Sequence, residues 1–229
     1  LLWDLLMIKA IIFDFDGVLV ESVDIKTKAF AGLFEHEGDS IVRRVVAYHI
    51  KNAGVSRFEK FRHIYKEMLN RELTEETFDY LCKKFSELVV DEVVNAPYVK
   101  GAKEFLENCA SLYDCYIASA TPHEEMEEIA KRRGIASCFK AIYGAPRKKA
   151  DIVRTILDRH GLSPEDVVCI GDAVSDYEAA KENKVAFIAR VTNDNSALFE
   201  DLDCIKLNNM VDLKNAVSSI CCQMEKNLG

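Results

Sequence analysis

Asp14 and Asp16 stand two residues apart inside an otherwise apolar run, IIFDFDGVLV over residues 11–20. Aspartate is depleted in strands, an unpaired buried carboxylate is costly, and two close together repel each other. A chain that breaks a local rule this sharply marks a candidate functional site. Two carboxylates at this spacing can divide the work of a group transfer: one attacks, and the other protonates the leaving oxygen and then activates water. More polar residues collect after later apolar runs. Ser119, Ala120 and Thr121 follow DCYIA; Arg147, Lys148 and Lys149 precede the ADIV of a predicted helix; Gly171, Asp172 and Asp176 follow VVCI. Several carboxylates with a lysine and hydroxyls suit phosphoryl transfer. The carboxylates favour a hard divalent cation, for which Mg²⁺ is usual where phosphate oxygens complete the shell. Lysine and hydroxyls give further contacts to a phosphoryl group.

The elements that would gather these tips alternate. IKAIIF (8–13) is predicted to be a strand, broken by Asp16-Gly17. Past Pro97 and Gly101, helices are predicted over GAKEFLENCASL, HEEMEEIAKRRG, KKADIVRTILDRHG and SDYEAAKEN, and again from about Val211. Between them fall the strands DCYIAS (114–119), KAIYG, DVVCIGD (166–172) and VAFIARV (185–191). Such alternation implies an α/β fold with a doubly wound parallel sheet, whose sites lie at the carboxyl ends of its strands. The gap between the first strand and the one near Asp114 is far longer than a crossover needs. Residues 22–95 lack proline, and both 56–69 and 74–89 place apolar residues at helical spacing, the second opening on a Thr cap. The expectation is an α/β core of residues 1–19 and 97–229 with a helical cap domain at 20–96, inserted over the active face as a lid.

Composition narrows the classes. The chain has 229 residues, 49% of them hydrophobic, and a formal net charge of −8 with no long Lys/Arg run, which disfavours nucleic acid as a partner. An acidic chain attracts an anionic substrate only through a local basic site or a bound cation. The eight cysteines show no metal-binding spacing, so reduced thiols and a cytoplasmic location are expected, with Cys169 a core residue. No apolar stretch reaches membrane-spanning length. The leading LLWDLL does not resemble a signal peptide, and Met7 could be the natural start.

FDFDGVLV, IASAT, a lysine opening a helix, and IGDAVSDYEAA, in that order, resemble the haloacid dehalogenase-like superfamily of phosphohydrolases. The position of the helical insertion resembles the subgroup that holds phosphoglycolate phosphatase-like enzymes and beta-phosphoglucomutase. The resemblance implies a Rossmann-like core and a set of roles. Asp14 would be nucleophile and metal ligand, and Asp16 general acid/base and a ligand through its backbone carbonyl. Ser119 would hold the phosphoryl group, with Gly17, Ala120 and Thr121 near the substrate. Asp172 would be a metal ligand and Asp176 a ligand or its supporting carboxylate. The lysine is Lys149 or, one residue earlier, Lys148. GVSR at 54–57 resembles the mutase's cap, making Arg57 a candidate substrate contact. His49, Lys51, Asn52 and Lys60 are further polar cap candidates, and Ser22 and Lys26 could also reach the site.

The expected function is a Mg²⁺-dependent phosphatase acting on a small phosphorylated metabolite through an aspartyl-phosphate, as a monomer or homodimer. Asp16 argues for a phosphate ester, because relatives that act on carbon–halogen bonds or phosphonates lack it. The alternatives are a sugar-phosphate mutase, disfavoured by Gly171 where that enzyme resembles Glu-Asp, and a catalytically idle binding domain.

Overall fold

The computed structural model describes residues 8–109 and 111–227. The possible start at Met7 and the segment before it lie outside the described residues, as does Ala110 within the first helix expected after Gly101.

The chain opens on β1 (Ala10–Phe13) and then forms four helices: α1 (Val23–Leu33), α2 (Asp39–Lys51), α3 (Arg57–His63) and α4 (Glu75–Asn95). After α5 (Ala102–Cys109) the alternation begins: β2 (Asp114–Pro122), α6 (His123–Arg132), β3 (Ala141–Ala145), α7 (Lys149–His160), β4 (Val167–Gly171), α8 (Val174–Glu182) and β5 (Ala186–Arg190). Short α9 (Ser196–Phe199), β6 (Ile205–Leu207) and α10 (Leu213–Asn227) complete it. The strands form one six-stranded sheet in the order β3-β2-β1-β4-β5-β6, every pair parallel. This is the α/β architecture expected, with the helical insertion between the first two strands.

Side chains that alternate along a strand point to opposite faces, so a sheet covered on both sides needs two cores. On one face Ile11, Phe13, Ile117 and Ile170 pack with Phe105, Met126, Ile129 and Leu213 from α5, α6 and α10. On the other Ala10, Ile12, Tyr116 and Cys169 pack with Ile152, Ile156 and Ala180 from α7 and α8. Cys169 is the core residue expected. Among the described residues no helix is long and apolar enough to cross a membrane.

The insertion has its own aromatic interior. Phe30, Phe61 and Phe85 converge with ring centroids 4.7–6.1 Å apart. The predicted helix at 56–69 forms with a change of pitch: Ser56 caps α3 by accepting from the Glu59 amide, and Ile64–Met68 winds on as a π turn. Thr74 caps α4 by accepting from the Thr77 amide, as its position before an apolar run predicted. Where the chain leaves and re-enters the core, its two strands are zipped: the Glu21 amide donates to the Pro97 carbonyl and the Val99 amide to the Leu19 carbonyl. The strand β6 was not foreseen, because three residues with a central lysine carry no periodic signal.

Candidate active site

β1 ends at Phe13, yet the chain keeps pairing for one residue more: the Asp14 amide donates to the Ile170 carbonyl at 2.8 Å. That bond fixes Asp14 at the tip of the central strand, 6% exposed, beside the tip of β4. Gly17 then turns the chain with φ +76, its amide donating to Val20. A Cβ there would lie 2.1 Å from an Asp172 carboxylate oxygen. The position therefore needs glycine twice over, for its left-handed backbone and for the close approach of Asp172. Gly17→Ala is expected to cost at least about 1–2 kcal/mol from backbone strain alone and to displace Asp172. Denaturant unfolding and divalent-cation affinity, measured together, check both effects; an unchanged affinity would contradict the displacement.

The tips of β1, β4 and the α7 and α8 starts meet. One carboxylate oxygen from each of Asp14, Asp172 and Asp176 falls within a 4.8 Å cluster. Lys149 Nζ lies 2.9 Å from Asp14 and 2.5 Å from Asp176. Of the two candidate lysines, Lys149 is 8% exposed and lies inside the cluster, whereas Lys148 is the exposed residue preceding α7. Asp176 also accepts from the Ala173 amide, so both of its oxygens are engaged. Gly171 makes room for it, since a Cβ there would lie 2.2 Å from the Cβ of Asp176.

Asp16 belongs to a different arrangement. Its carboxylate accepts from Ser22 at 2.6 Å, from Thr121 at 3.1 Å and, in a short ion pair, from Lys26. Lys26 also donates to the Thr121 hydroxyl at 2.7 Å. Ser22 and Lys26 thus reach the site as expected. Ser119 is fully buried, and its hydroxyl accepts from the Thr121 amide at 3.1 Å. Ala120 and Thr121 line the cavity of about 50 Å³ that lies over Asp14, Asp16, Lys149 and Asp172.

Burial opposes charge on Asp14, Asp172 and Asp16, and only at Asp16 do the partners outweigh it. Burial raises the Asp14 pKa to about 7, Lys149 pulling it down and Asp176 and Asp16 pushing it up. Asp172 is driven well above the carboxylate range by burial and by Asp14 and Asp176. Burial acts the same way on Asp16, but the Lys26 charge and the bonds from Lys26, Ser22 and Thr121 outweigh it, holding its pKa below the usual value. Lys149 is likewise buried, and Asp14 and Asp176 overcome that cost and keep it charged.

The donor set fits a hard divalent cation. It is all oxygen, it is short of positive charge, and the Asp172 carboxylate faces the cavity with no side-chain hydrogen bond among the described residues. A cation there would relieve the repulsion that raises Asp14 and Asp172.

Above the carboxylates, the insertion supplies the roof: Phe30, His49, Arg57, Lys60 and Phe85. Arg57 stands in the cavity wall, but its guanidinium is forked onto both oxygens of Glu125, donates to Ser86 and lies over Phe85. Its charge is therefore matched within the protein. Glu125 was not foreseen; it sits in the acidic run HEEMEE, which reads as a solvated helix face. Lys51 points away, exposed, and Asn52 donates to the Tyr48 carbonyl at its own helix end. Two further residues brace the site unannounced by any motif. Arg190 donates to the Gly17 carbonyl and to Glu21, and Asn195 donates to the Asp172 carbonyl.

Known proteins bear out the resemblance. A phosphorylated carbohydrates phosphatase of Thermotoga maritima is 27% identical over 201 residues, covering 84% of this chain and 90% of that protein. A 5′-nucleotidase of Pseudomonas aeruginosa is 34% identical over 94 residues, 38% of this chain, and the match spans only 42% of the nucleotidase's length. Among solved structures, a beta-phosphoglucomutase from Clostridium difficile superposes with a TM-score of 0.76 at 18% identity, covering 95% of this chain and 99% of that one, a likeness of fold. The family model for haloacid dehalogenase-like hydrolases matches residues 11–190, from the first buried strand through the end of β5. With that match spanning most of the chain and the carboxylate–lysine cluster at its strand tips, the chain belongs to the haloacid dehalogenase-like hydrolase family, with a site of the kind that carries out metal-assisted phosphoryl transfer.

Proposed function

We propose that the protein is a Mg²⁺-dependent phosphatase that hydrolyses a small phosphorylated metabolite through an aspartyl-phosphate on Asp14. The observation that carries this reading is the division of labour between the two aspartates. Asp14 lies with the lysine and the cation-type carboxylates, while Asp16 lies apart in its own hydrogen-bonded network.

In this reading Asp14 and Asp172 hold Mg²⁺, with the Asp16 backbone carbonyl, and Asp176 supports them through Lys149. Bound there, the cation neutralises Asp14 and the phosphoryl oxygens and withdraws charge from phosphorus. Lys149 and the Ser119–Thr121 tip take the phosphoryl oxygens and orient the group in line with an Asp14 oxygen. That oxygen forms a bond to phosphorus as the bond to the leaving alcohol oxygen breaks, and protonated Asp16 gives its proton to that oxygen. Asp16, now anionic, takes a proton from water as the water attacks phosphorus and frees Asp14. Lys26, Ser22 and Thr121 hold Asp16 as the anion, the form the second step requires; the first step therefore requires that Asp16 take up a proton as the anionic substrate binds.

Residues 20–96 act as the cap domain, turning on the paired strands at Glu21 and Pro97 and excluding bulk water when closed. The tight fit at Gly171 supports hydrolysis over the mutase, since a glutamate there has no room beside Asp176.

The test is inorganic phosphate release over a panel of phosphorylated metabolites, with Mg²⁺ and with chelator. Mg²⁺-dependent release for a few small esters is the expected result. Conversion of sugar phosphates to isomers without net phosphate release would replace the phosphatase with the mutase.

A further inference from the structure

The insertion meets the α/β core at two places beside the cavity. On one side Arg57 of α3 and Ser86 of α4 meet Glu125 of α6. Arg57 is forked onto both Glu125 oxygens, and the two side chains are only 4% and 9% exposed. The Ser86 hydroxyl donates to Glu125 at 2.7 Å and accepts from Arg57 at 2.8 Å, which closes a ring of three. On the other side the turn at Gly54 lies on the start of α8. A Cβ at Gly54 would fall 1.9 Å from Ser175 Oγ, and that buried hydroxyl has no hydrogen-bond partner among the described residues.

The two contacts stand on opposite faces of the sheet. α6 packs with Phe13 and Ile117, α8 packs with Ile12 and Cys169, and β1 runs between β2 and β4 with Asp14 at its tip. Residues 53–57 therefore cross the site from one contact to the other, and Ala53, Gly54, Val55 and Arg57 line the cavity. The Gly54 end is close packing without a bond from Ser175. The Arg57 end is a bidentate ion pair, and breaking it strands a charge in a wall shared with Phe85. Leverage favours the same contact. α4 and α6 stay joined toward the hinge, where Arg133 donates to the carbonyls of Val93, Val94 and Ala96. Glu125 lies about 12 Å of helix further from the hinge, so a swing about Glu21 and Pro97 moves its contact most.

We infer that Glu125 is a positioning residue that acts through Arg57: it clasps the cap shut and seats the 53–57 turn on the Asp172 side of the site. This rests on the reading of residues 20–96 as a cap, and it gives Arg57 a partner in the core in place of a substrate contact.

The experiment reads opening at Ser175, on the face of the sheet away from Glu125. Ser175→Cys places a thiol under the Gly54 turn. Its alkylation by iodoacetamide is followed by peptide mass spectrometry in the full chain without substrate. Cys169, 5% exposed in the core, is followed in the same digests as the report on global unfolding. Glu125→Gln keeps the shape and removes the charge. It is expected to raise the rate at position 175 at least about tenfold, the worth of one charge-assisted hydrogen bond, with Cys169 unchanged. Arg57→Met is expected to do the same, and the two together to exceed the larger single effect by less than about threefold, as for one shared interaction. Ser86→Ala leaves the ion pair in place and is the milder variant, with an expected rise of about fivefold. Rates at 175 within about twofold of the parent in Glu125→Gln and Ser86→Ala, or Glu125 and Arg57 effects that multiply, overturn the inference. A rise matched at Cys169 is unfolding rather than opening, and if Ser86→Ala shows the same match the inference also falls. Labelling needs no turnover, so its failure leaves the phosphatase reading standing; that reading fails separately, in the phosphate-release panel.

Discussion

Asp14→Asn is expected to lower kcat by at least about 10⁴-fold, the scale on which an enzyme loses rate with its nucleophile, while leaving the protein folded. The two halves of that expectation have separate causes. An amide oxygen is a far weaker nucleophile toward phosphorus than a carboxylate, and the covalent route closes. Stability moves little or upward, because the Asp14 charge is disfavoured in the fold: its pKa is raised to about 7 by burial and by the neighbouring Asp176 and Asp16. A raised carboxylate pKa means that ionisation above the ordinary value, near 4, costs native stability, and the cost is present at neutral pH. A neutral side chain of the same shape removes it. Lys149 keeps its second partner, Asp176, at 2.5 Å. Steady-state kinetics and urea unfolding at pH 7 in chelator check the pair of effects. Wild-type kcat in the variant would remove Asp14 from the nucleophile's role.

Lys149→Met is expected to destabilise the metal-free protein by about 3–5 kcal/mol, the usual result of deleting one partner from a buried ion pair. Lys149 is the cation between Asp14 and Asp176, and without it Asp172 is also left among uncompensated carboxylates. For a chain of this length that loss lowers Tm by roughly 6–20 °C. The same charge shortage makes the variant's stability depend on cations. Mg²⁺ is expected to raise its Tm by several degrees more than it raises that of the unaltered protein, because it binds the folded site and not the unfolded chain. Thermal melts with Mg²⁺ and with chelator test this. A variant that melts within about two degrees of the parent in chelator, on the same scale, would show that Lys149 carries no such load.

Much of this site was legible because its residues violate local rules. Asp14 and Asp16 in an apolar run, and Asp172 after VVCI, announce themselves, and the parallel fold brings strand tips together wherever they lie in the chain. The long gap before β2 likewise forced a helical insertion. The roof was harder to read. Helical spacing shows that Phe61 and Phe85 face inward, but Lys51 at the end of α2 and Arg57 and Lys60 in the first turns of α3 all lie near helix termini, and the sequence does not separate the buried from the exposed. The fate of Arg57 depended on Glu125, 68 residues away in an ordinary acidic helix, a pairing no local pattern encodes. Lys148 and Lys149 differ by one residue of helix register, and composition does not show that only the second is buried. Arg190 and Asn195 act on backbone carbonyls, a role that leaves no signature in residue spacing.

The most direct test of the covalent mechanism uses Asp16→Ala with p-nitrophenyl phosphate and Mg²⁺. This leaving group needs little protonation, so Asp14 is still phosphorylated, whereas no base remains to activate water for the second step. The expected result is a burst of about one nitrophenolate per protein followed by near-arrest, with the phosphoryl group recovered, after acid quench and digestion, on the peptide bearing Asp14. A phosphoryl group on any other residue, or steady turnover with no burst, would contradict the central claim that Asp14 is the nucleophile and Asp16 its acid and base.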